Sequence, residues 1–312
     1  MPRGELELPQ SRLARAGFAM LAFGGIANAQ AIDDPLTRPI AAEFAVRWLA
    51  PQPPKRIFGN SYLVGFRKMN VALIDTGAGL ILIDGALPQS VSSVESNIRA
   101  LGFKVSDVKL ILSTEPHYDH AGGIAALARD SGATVVASAA AAQVLRQGRS
   151  GADDPQFGQL ADLPAITGTL RVVRHGEVIR LGATRVLAQA TPGHTAGSMS
   201  WRWQSCEAKR CLNMVFASSL NPVSVDGYRF SDPAHRLIVA SFRQTISRVA
   251  AMPCDILFTA HPDNSGGDTK FAQFERRAVP NPFVDPKSCR NLSAVYAKIL
   301  NKRLASEAKP GA

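Results

Sequence analysis

Several things are scarce in this chain of 312 residues, and each scarcity excludes something. No hydrophobic run is long enough to anchor it in a membrane, because the apolar stretch from Ala16 to Ile26 is too short to span a bilayer. Cysteine occurs only four times and never as C-x-x-C, so a thiolate metal cage of that spacing is excluded. The net charge is +10, but the basic residues are scattered, without a long run and without interleaved aromatics. That pattern argues for solubility and a mild attraction for small anions, not for a nucleic-acid partner. No internal repeat and no disorder signature are present, and 46 % hydrophobic residues are ample for the core of one large domain.

The first thirty residues have the layout of an export signal. Arg12 and Arg15 precede the apolar stretch, and Ala27-Asn-Ala29 supplies small residues for cleavage before Gln30. The expectation is a signal peptide over residues 1–29, one domain over 30–312, and a periplasmic mature protein with no membrane anchor; the alternative is an N-terminal amphipathic helix that stays attached. Cysteine placement agrees with export. Cys206 and Cys211 flank the polar stretch Glu-Ala-Lys-Arg between two strand-like runs, as a stapled hairpin requires, which leaves Cys254 and Cys289 to each other. Three connectivities remain formally open, with free thiols as the other possibility.

Periodicity predicts strands at 61–65, 71–75 and 80–84, a helix capped by Ser90 and ended by Gly102, and a buried strand at 108–113. A helix at 120–131, a strand at 134–137 and a helix from Ala139 to Arg146 follow. Residues 148–164 form a long loop with Phe157 near its centre. Strands return at 185–189, 198–203, 212–217 and 255–259, with helices from Asp232 to Ala251 and from Leu292 to Leu304. The Pro-rich stretch 31–55 is expected to wrap the surface. Two sheets packed together with helices outside is the α+β architecture this order implies.

Chemistry concentrates in Ser113-Thr-Glu-Pro-His-Tyr-Asp-His-Ala-Gly-Gly123, which holds Glu115, His117, Asp119 and His120 within six residues. Imidazole and carboxylate together suit zinc, and four such groups at this spacing are hard to explain as a polar surface turn. Two further histidines sit just beyond predicted strands, His194 in Thr191-Pro-Gly-His-Thr-Ala-Gly197 and His261 in Thr259-Ala-His-Pro-Asp-Asn264. Six candidate ligands make three for each of two ions, with open positions left for water and substrate. His175 and His235 lack such a setting and read as surface or packing residues. Asp84, at a strand end, is either a partner of the metal loop or a turn cap.

The order E-P-H-Y-D-H, T-P-G-H-T-A-G, F-A-S-S-L and A-H-P resembles the metallo-β-lactamase superfamily from about Ile57 to the C-terminal helix. Within it, I-L-I-D-G-A at 81–86 and S-S-L-N-P-V-S-V-D-G-Y-R-F at 218–230 look like class B β-lactamases of subclass three. The resemblance implies a four-layer αββα sandwich and two zinc ions, held by Glu115, His117 and His194 and by Asp119, His120 and His261. Relatives of other activities carry a bridging Asp, and another β-lactamase subclass a metal-binding Cys, in the segment that here reads Phe216-Ala-Ser-Ser-Leu220, and a neutral Ser is a poor zinc ligand. The implied activity is hydrolysis of penicillins, cephalosporins and carbapenems by a monomer, with antibiotic resistance as its consequence. Asp119 would orient the attacking water and Tyr228 add a hydrogen bond near the developing charge. Ser219 and Asn221 would receive the substrate carboxylate, while Phe157 and Tyr62 line the cleft. Other hydrolases of the same fold, of lactonase or thioesterase type, and a non-catalytic exported zinc-binding protein are the alternatives.

One departure stands out, because the family motif H-x-H-x-D-H begins here with Glu115. Two histidines and one carboxylate are a set that catalytic zinc accepts; the alternative is a Glu115 that stays out and leaves the first site weak. A bound Glu115 makes the centre one charge less positive than a neutral His would, so its water is less acidic and its first ion a weaker electrophile. Substituting Glu115→His is therefore expected to shift both the pH optimum and the zinc affinity. Unchanged values in a pH–rate profile and a zinc titration would mean that this ligand has no electrostatic role.

Overall fold

The alternation of side chains along each strand decides which face is covered, and the long hairpin in the second half of the chain shows it most plainly. The structure, a computed structural model, describes residues 33–308, so the expected signal segment lies outside the described residues. In β10 (Met199–Glu207), Trp201, Trp203 and Ser205 are buried, while Arg202 and Gln204 between them face outward. The inward indoles reach across to the other sheet: Trp201 Nε1 donates to the Ser113 carbonyl at 3.2 Å and Trp203 Nε1 to Ser61 Oγ at 2.9 Å. These bonds satisfy the polar tips of two large buried rings and fix one sheet against the other.

The first sheet runs in chain order through β1 (Lys55–Phe58), β2 (Ser61–Leu63), β3 (Ala72–Asp75), β4 (Leu80–Ile83), β5 (Val108–Leu112), β6 (Thr134–Ala137) and β7 (Leu170–Val172). Pairing is antiparallel up to β4 and parallel from β4 to β7. All four residues of β4 are buried, as a central strand covered on both faces requires. The second sheet has the order β12 (Ile256–Thr259), β11 (Arg210–Ala217), β10, β9 (Thr184–Ala190), β8 (Val178–Leu181).

Helices supply the outer layers. Val94 and Ile98 of α2 (Val91–Ala100) and Ile124 and Leu127 of α4 (Ile124–Ser131) join the core of the first sheet, near α5 (Ala139–Gln147). Across the molecule, Phe242 and Val249 of α6 (Arg236–Ala250) and Leu292, Tyr296 and Leu300 of α8 (Ser288–Glu307) close on Val215 and Leu257, which are register partners in β11 and β12. This is the αββα sandwich expected from the sequence. No helix among the described residues is long and apolar enough to cross a membrane.

The structure differs from the expected elements in three places. The edge strands β1, β7 and β8 are short and patterned too weakly to be read alone. The stretch expected to wrap the surface contains α1 (Ala42–Trp48), and α7 (Gly267–Glu275) follows β12. The helix expected over 120–131 is divided into α3 (Tyr118–Ala121) and α4 at Gly122-Gly123. There the turn after β4 presses in so closely that a Cβ on Gly123 would stand 2.3 Å from the Gly85 carbonyl oxygen. Gly85 N–H donates to the His120 carbonyl and Gly123 N–H to the Ala86 carbonyl, so the motif's glycines are needed for this contact.

Topology brings the functional loops to one edge. Strands β9 and β11 both run antiparallel to β10, and β12 runs parallel to β11, so all three deliver their C-terminal ends together. Strands β4 and β5, also parallel, do the same in the first sheet.

Two disulfides are formed. Cys206–Cys211 joins register partners of the β10–β11 hairpin, and Cys254–Cys289 ties the approach to β12 to the first turn of α8. Their sequence separations are 5 and 35. From loop-closure entropy, removing the first by a double Cys→Ser change should cost about 2 kcal/mol and removing the second about 4 kcal/mol. Denaturant midpoints measure both; an equal loss from the two pairs would contradict this ranking.

Candidate metal centre

Four of the six candidate ligands follow directly on a residue that the neighbouring strand end holds in place. The chain leaves β5 at Ser113, and Asp84, from the end of β4, grips the next residue: its Oδ1 accepts from Thr114 N–H at 2.7 Å and its Oδ2 from Thr114 Oγ1 at 2.6 Å. Asp84 has φ 64, a left-handed conformation that Asp tolerates better than most residues. Beyond Thr114 come Glu115 and His117, and then Asp119 and His120 on the single turn of α3. His194 lies in the turn from β9 to β10, and His261 just past β12.

These side chains form two groups, Glu115 with His117 and His194, and Asp119 with His120 and His261. Within each group, one ligand atom per residue lies within 4.8 Å of the others. Five of the six are buried, Glu115 completely. The rings of His117 and His194 meet edge to face at 5.0 Å, and those of His120 and His261 at 5.5 Å.

Hydrogen bonds set which nitrogen of each ring faces inward. His117 Nε2–H donates to Asp154 Oδ2 at 2.8 Å, which turns Nδ1 toward Glu115. His194 Nδ1–H donates to the Asn221 carbonyl at 2.7 Å and His120 Nδ1–H to Asp84 Oδ2 at 3.2 Å, which turns both Nε2 atoms toward Glu115 Oε1. A carboxylate or carbonyl behind the ring fixes the tautomer a metal needs. His261 Nε2 lies 3.0 Å from Asp119 Oδ2, and the Trp48 ring of α1 rests against the His261 ring at 5.2 Å.

Glu115 tests whether a cation fits. Its Oε2 accepts from Ser219 N–H at 2.8 Å, but its Oε1 is buried with no hydrogen-bond partner. Around that orphaned atom stand His120 Nε2 at 3.1 Å, His194 Nε2 at 3.3 Å and His117 Nδ1 at 3.7 Å. A buried carboxylate oxygen without a donor is costly, and a divalent cation shared with the imidazoles removes the cost. Burial alone would raise the Glu115 pKa, yet His120, His194, His117 and the Ser219 N–H hold it down at about 2. Burial likewise opposes charge on His120, but Glu115, Asp119 and Asp84 push its pKa up to about 10. The acidic groups thus demand positive charge in their midst, which a metal supplies in place of an imidazole proton. The residues fit a metal.

The remaining expected residues divide. Ser219 and Asn221 touch the ligand cluster through their backbone, by the two bonds just described. Ser218 is fully buried and its hydroxyl lies 2.8 Å from Thr191 Oγ1. The Tyr228 ring stacks on His235 at 3.9 Å and meets Phe230 at 5.1 Å. Phe157 is 51 % exposed, beside Gln156, whose Nε2 is 3.3 Å from His194 Nε2. Tyr62 does not join them. Its neighbour Ser61 meets Trp203 of the second sheet, so alternation sends Tyr62 to the opposite face, where its ring packs edge-on to Phe103 at 5.9 Å. His175 is exposed and accepts from Ala190 N–H. A separate groove of about 610 Å3, lined by Arg185, Leu187, Arg202 and Gln204 among others, contains none of the cluster.

Sequence reasoning missed Asp154, Gln156 and Trp48, whose roles depend on long-range contacts. The only hint was that Asp154 and Gln156 sit in the long loop singled out for function. Replacing Asp154 with Ala frees the His117 ring and should weaken metal binding by about tenfold or more. Competition against a chromophoric chelator reads this directly, and parental affinity would show that the hydrogen bond does not position the ring.

Residues 54–209 match the family model described as the metallo-beta-lactamase superfamily. A solved structure described as that of the first B3 metallo-β-lactamase with an active-site glutamic acid is 55 % identical, with TM-score 0.82, over 89 % of this chain and all of that one. The Rm3 metallo-β-lactamase is 41 % identical, with TM-score 0.82, over 86 % and 99 % of the two chains. A hydroxyacylglutathione hydrolase-like protein from Homo sapiens is 31 % identical over 123 residues, 39 % of this chain and 32 % of that protein, so the match spans about a third of that relative's length. With its fold, its two ligand groups and these matches, the chain belongs to the metallo-β-lactamase superfamily and groups there with subclass B3.

Proposed function

We propose that this protein is a two-zinc β-lactamase, exported to the periplasm as a monomer, which hydrolyses the amide bond of penicillins, cephalosporins and carbapenems. The observation that carries the reading is the buried, unpartnered Oε1 of Glu115 among three imidazole nitrogens, beside a second group of three ligands. Glu115, His117 and His194 would hold the first ion, and Asp119, His120 and His261 the second. Zinc bound there would supply a water of near-neutral pKa and an electrophile for the lactam carbonyl and its leaving nitrogen.

The chain's own groups do the rest. Asp119 accepts a hydrogen bond from the attacking water and so aims its lone pair at the carbonyl carbon. Water adds across the C–N bond: a C–O bond forms, the C–N bond breaks and the nitrogen leaves with a proton. Asp84, Asp154 and the Asn221 carbonyl keep three imidazoles in one orientation throughout, which limits reorganisation during the step. The Ser219 and Asn221 side chains receive the substrate carboxylate, Tyr228 hydrogen-bonds near the developing charge, and Phe157 contributes apolar contact at the rim.

The glutamate at position 115 is supported by the 55 % identical B3 enzyme, which is described as having an active-site glutamic acid. A hydroxyacylglutathione-type activity has the shorter 31 % match in its favour. Against it stands Ser218, whose hydroxyl is committed to Thr191 where a bridging carboxylate is needed.

Purified protein is expected to hydrolyse a carbapenem and a cephalosporin, to lose that activity with a chelator, and to contain two zinc ions per chain by elemental analysis. Turnover of lactone or thioester substrates with none of β-lactams, or full activity after metal removal, would refute the proposal.

A further inference from the structure

The segment from Ser218 to Ser231 has no strand or helix of its own, yet it carries Ser219, Asn221 and Tyr228. Backbone of this kind keeps one conformation only where outside groups take up its donors and acceptors. Here they come from the end of α8. Arg303 donates through Nη2 to Ser224 Oγ at 2.9 Å and to the Tyr228 carbonyl at 3.1 Å, with its guanidinium 5.5 Å over the Phe230 ring. One turn later Glu307 pairs with Arg303 Nε, accepts from Ser231 N–H at 2.7 Å through Oε2, and accepts from the Arg229 guanidinium through its own carbonyl. Glu307 is 7 % exposed, so its charge depends on those partners.

The other side of the same segment touches the metal centre. The Asn221 carbonyl accepts from His194 Nδ1–H. Val225 N–H donates at 2.8 Å to the carbonyl of Pro155, which lies between Asp154 and Gln156, the residues beside His117 and His194. The 218–231 segment is therefore bonded to the C-terminal helix on one side and, through Asn221 and Val225, to one ligand ring and to the loop that bonds the other.

We infer that Arg303 and Glu307 are positioning residues, and that the last turns of α8 clamp residues 218–231 in the conformation that receives the substrate carboxylate. The identity of that substrate rests on the β-lactamase reading; the clamp does not. Its effect falls mainly on substrate binding through Ser219 and Asn221, with a smaller loss in the chemical step through Tyr228, whose carbonyl Arg303 holds.

The test uses the zinc-loaded mature chain with Arg303→Ala, Glu307→Ala, Glu307→Gln and the double alanine variant. Cephalosporin kinetics are combined with amide hydrogen exchange. Arg303→Ala and Glu307→Ala are each expected to raise KM about tenfold with kcat within about threefold, and to speed exchange across 224–231 while β10 to β12 stay protected. Glu307→Gln keeps an oxygen for Ser231 N–H but turns an amide N–H toward Arg303 Nε–H in place of the second acceptor, so it should lie between the parent and Glu307→Ala, and the double variant should be little worse than either single one because the two residues act as a unit. Parental KM and parental exchange in both alanine variants would overturn the clamp, and so would faster exchange throughout β10 to β12. If Arg303→Ala does not fold, the Glu307→Ala and Glu307→Gln pair decides. A parent that hydrolyses no β-lactam refutes the substrate reading, and the exchange data still decide the clamp.

Discussion

Glu115 Oε1 is an acceptor sealed from water, given no donor by the protein and surrounded by imidazole nitrogens at 3.1 to 3.7 Å. Desolvating a carboxylate this far costs several kcal/mol unless a counter-charge is placed against it. Much of the surrounding structure serves to keep that arrangement in place. The Ser219 N–H satisfies the other oxygen, so the carboxylate cannot turn away. Asp84 locks Thr114, the residue before it, and at the same time orients His120. A glutamate can stand where the family motif has histidine because one of its oxygens is spent on the backbone and the other is left for a cation.

The sandwich exists to bring five strand ends to this point. Parallel pairing of β4 with β5 and of β11 with β12, together with the antiparallel hairpin through β10, delivers Asp84, the 113–120 loop, His194, the 218–231 segment and His261 to one edge. Trp201 and Trp203 fasten the two sheets to each other beneath it. Ligands held at the ends of rigid strands keep their spacing better than ligands on free loops. The loops that do flank the site are tied back, through Asp154 on one side and through the end of α8 on the other.

The sequence made some of this legible and hid the rest for identifiable reasons. All six candidate ligands could be singled out because four fall within one short stretch and the other two follow buried strands, and the structure brings them together as two groups of three. The central strands were visible from their apolar runs, and the hairpin disulfide from its flanking strands. Asp84 was left between two readings, since its sequence position says nothing of the Thr114 and His120 contacts it makes about thirty residues away. Asp154 and Trp48 were missed, because a loop Asp and a Trp in a Pro-rich stretch carry no local pattern. Tyr62 was misplaced toward the cleft; the alternation set by Ser61 puts it on the helix-covered face. The break at Gly122-Gly123 needed the approach of the 84–86 turn, a tertiary contact that helix propensity cannot foresee.

Diffraction from crystals of the zinc-loaded protein, recorded on both sides of the zinc absorption edge, tests the central claim most directly. The account predicts two anomalous peaks, the first within bonding distance, about 2.0–2.2 Å, of Glu115 Oε1 and one nitrogen each of His117 and His194, and the second against Asp119, His120 and His261. A first peak that leaves Glu115 uncoordinated, or no peak among these six residues, would contradict it.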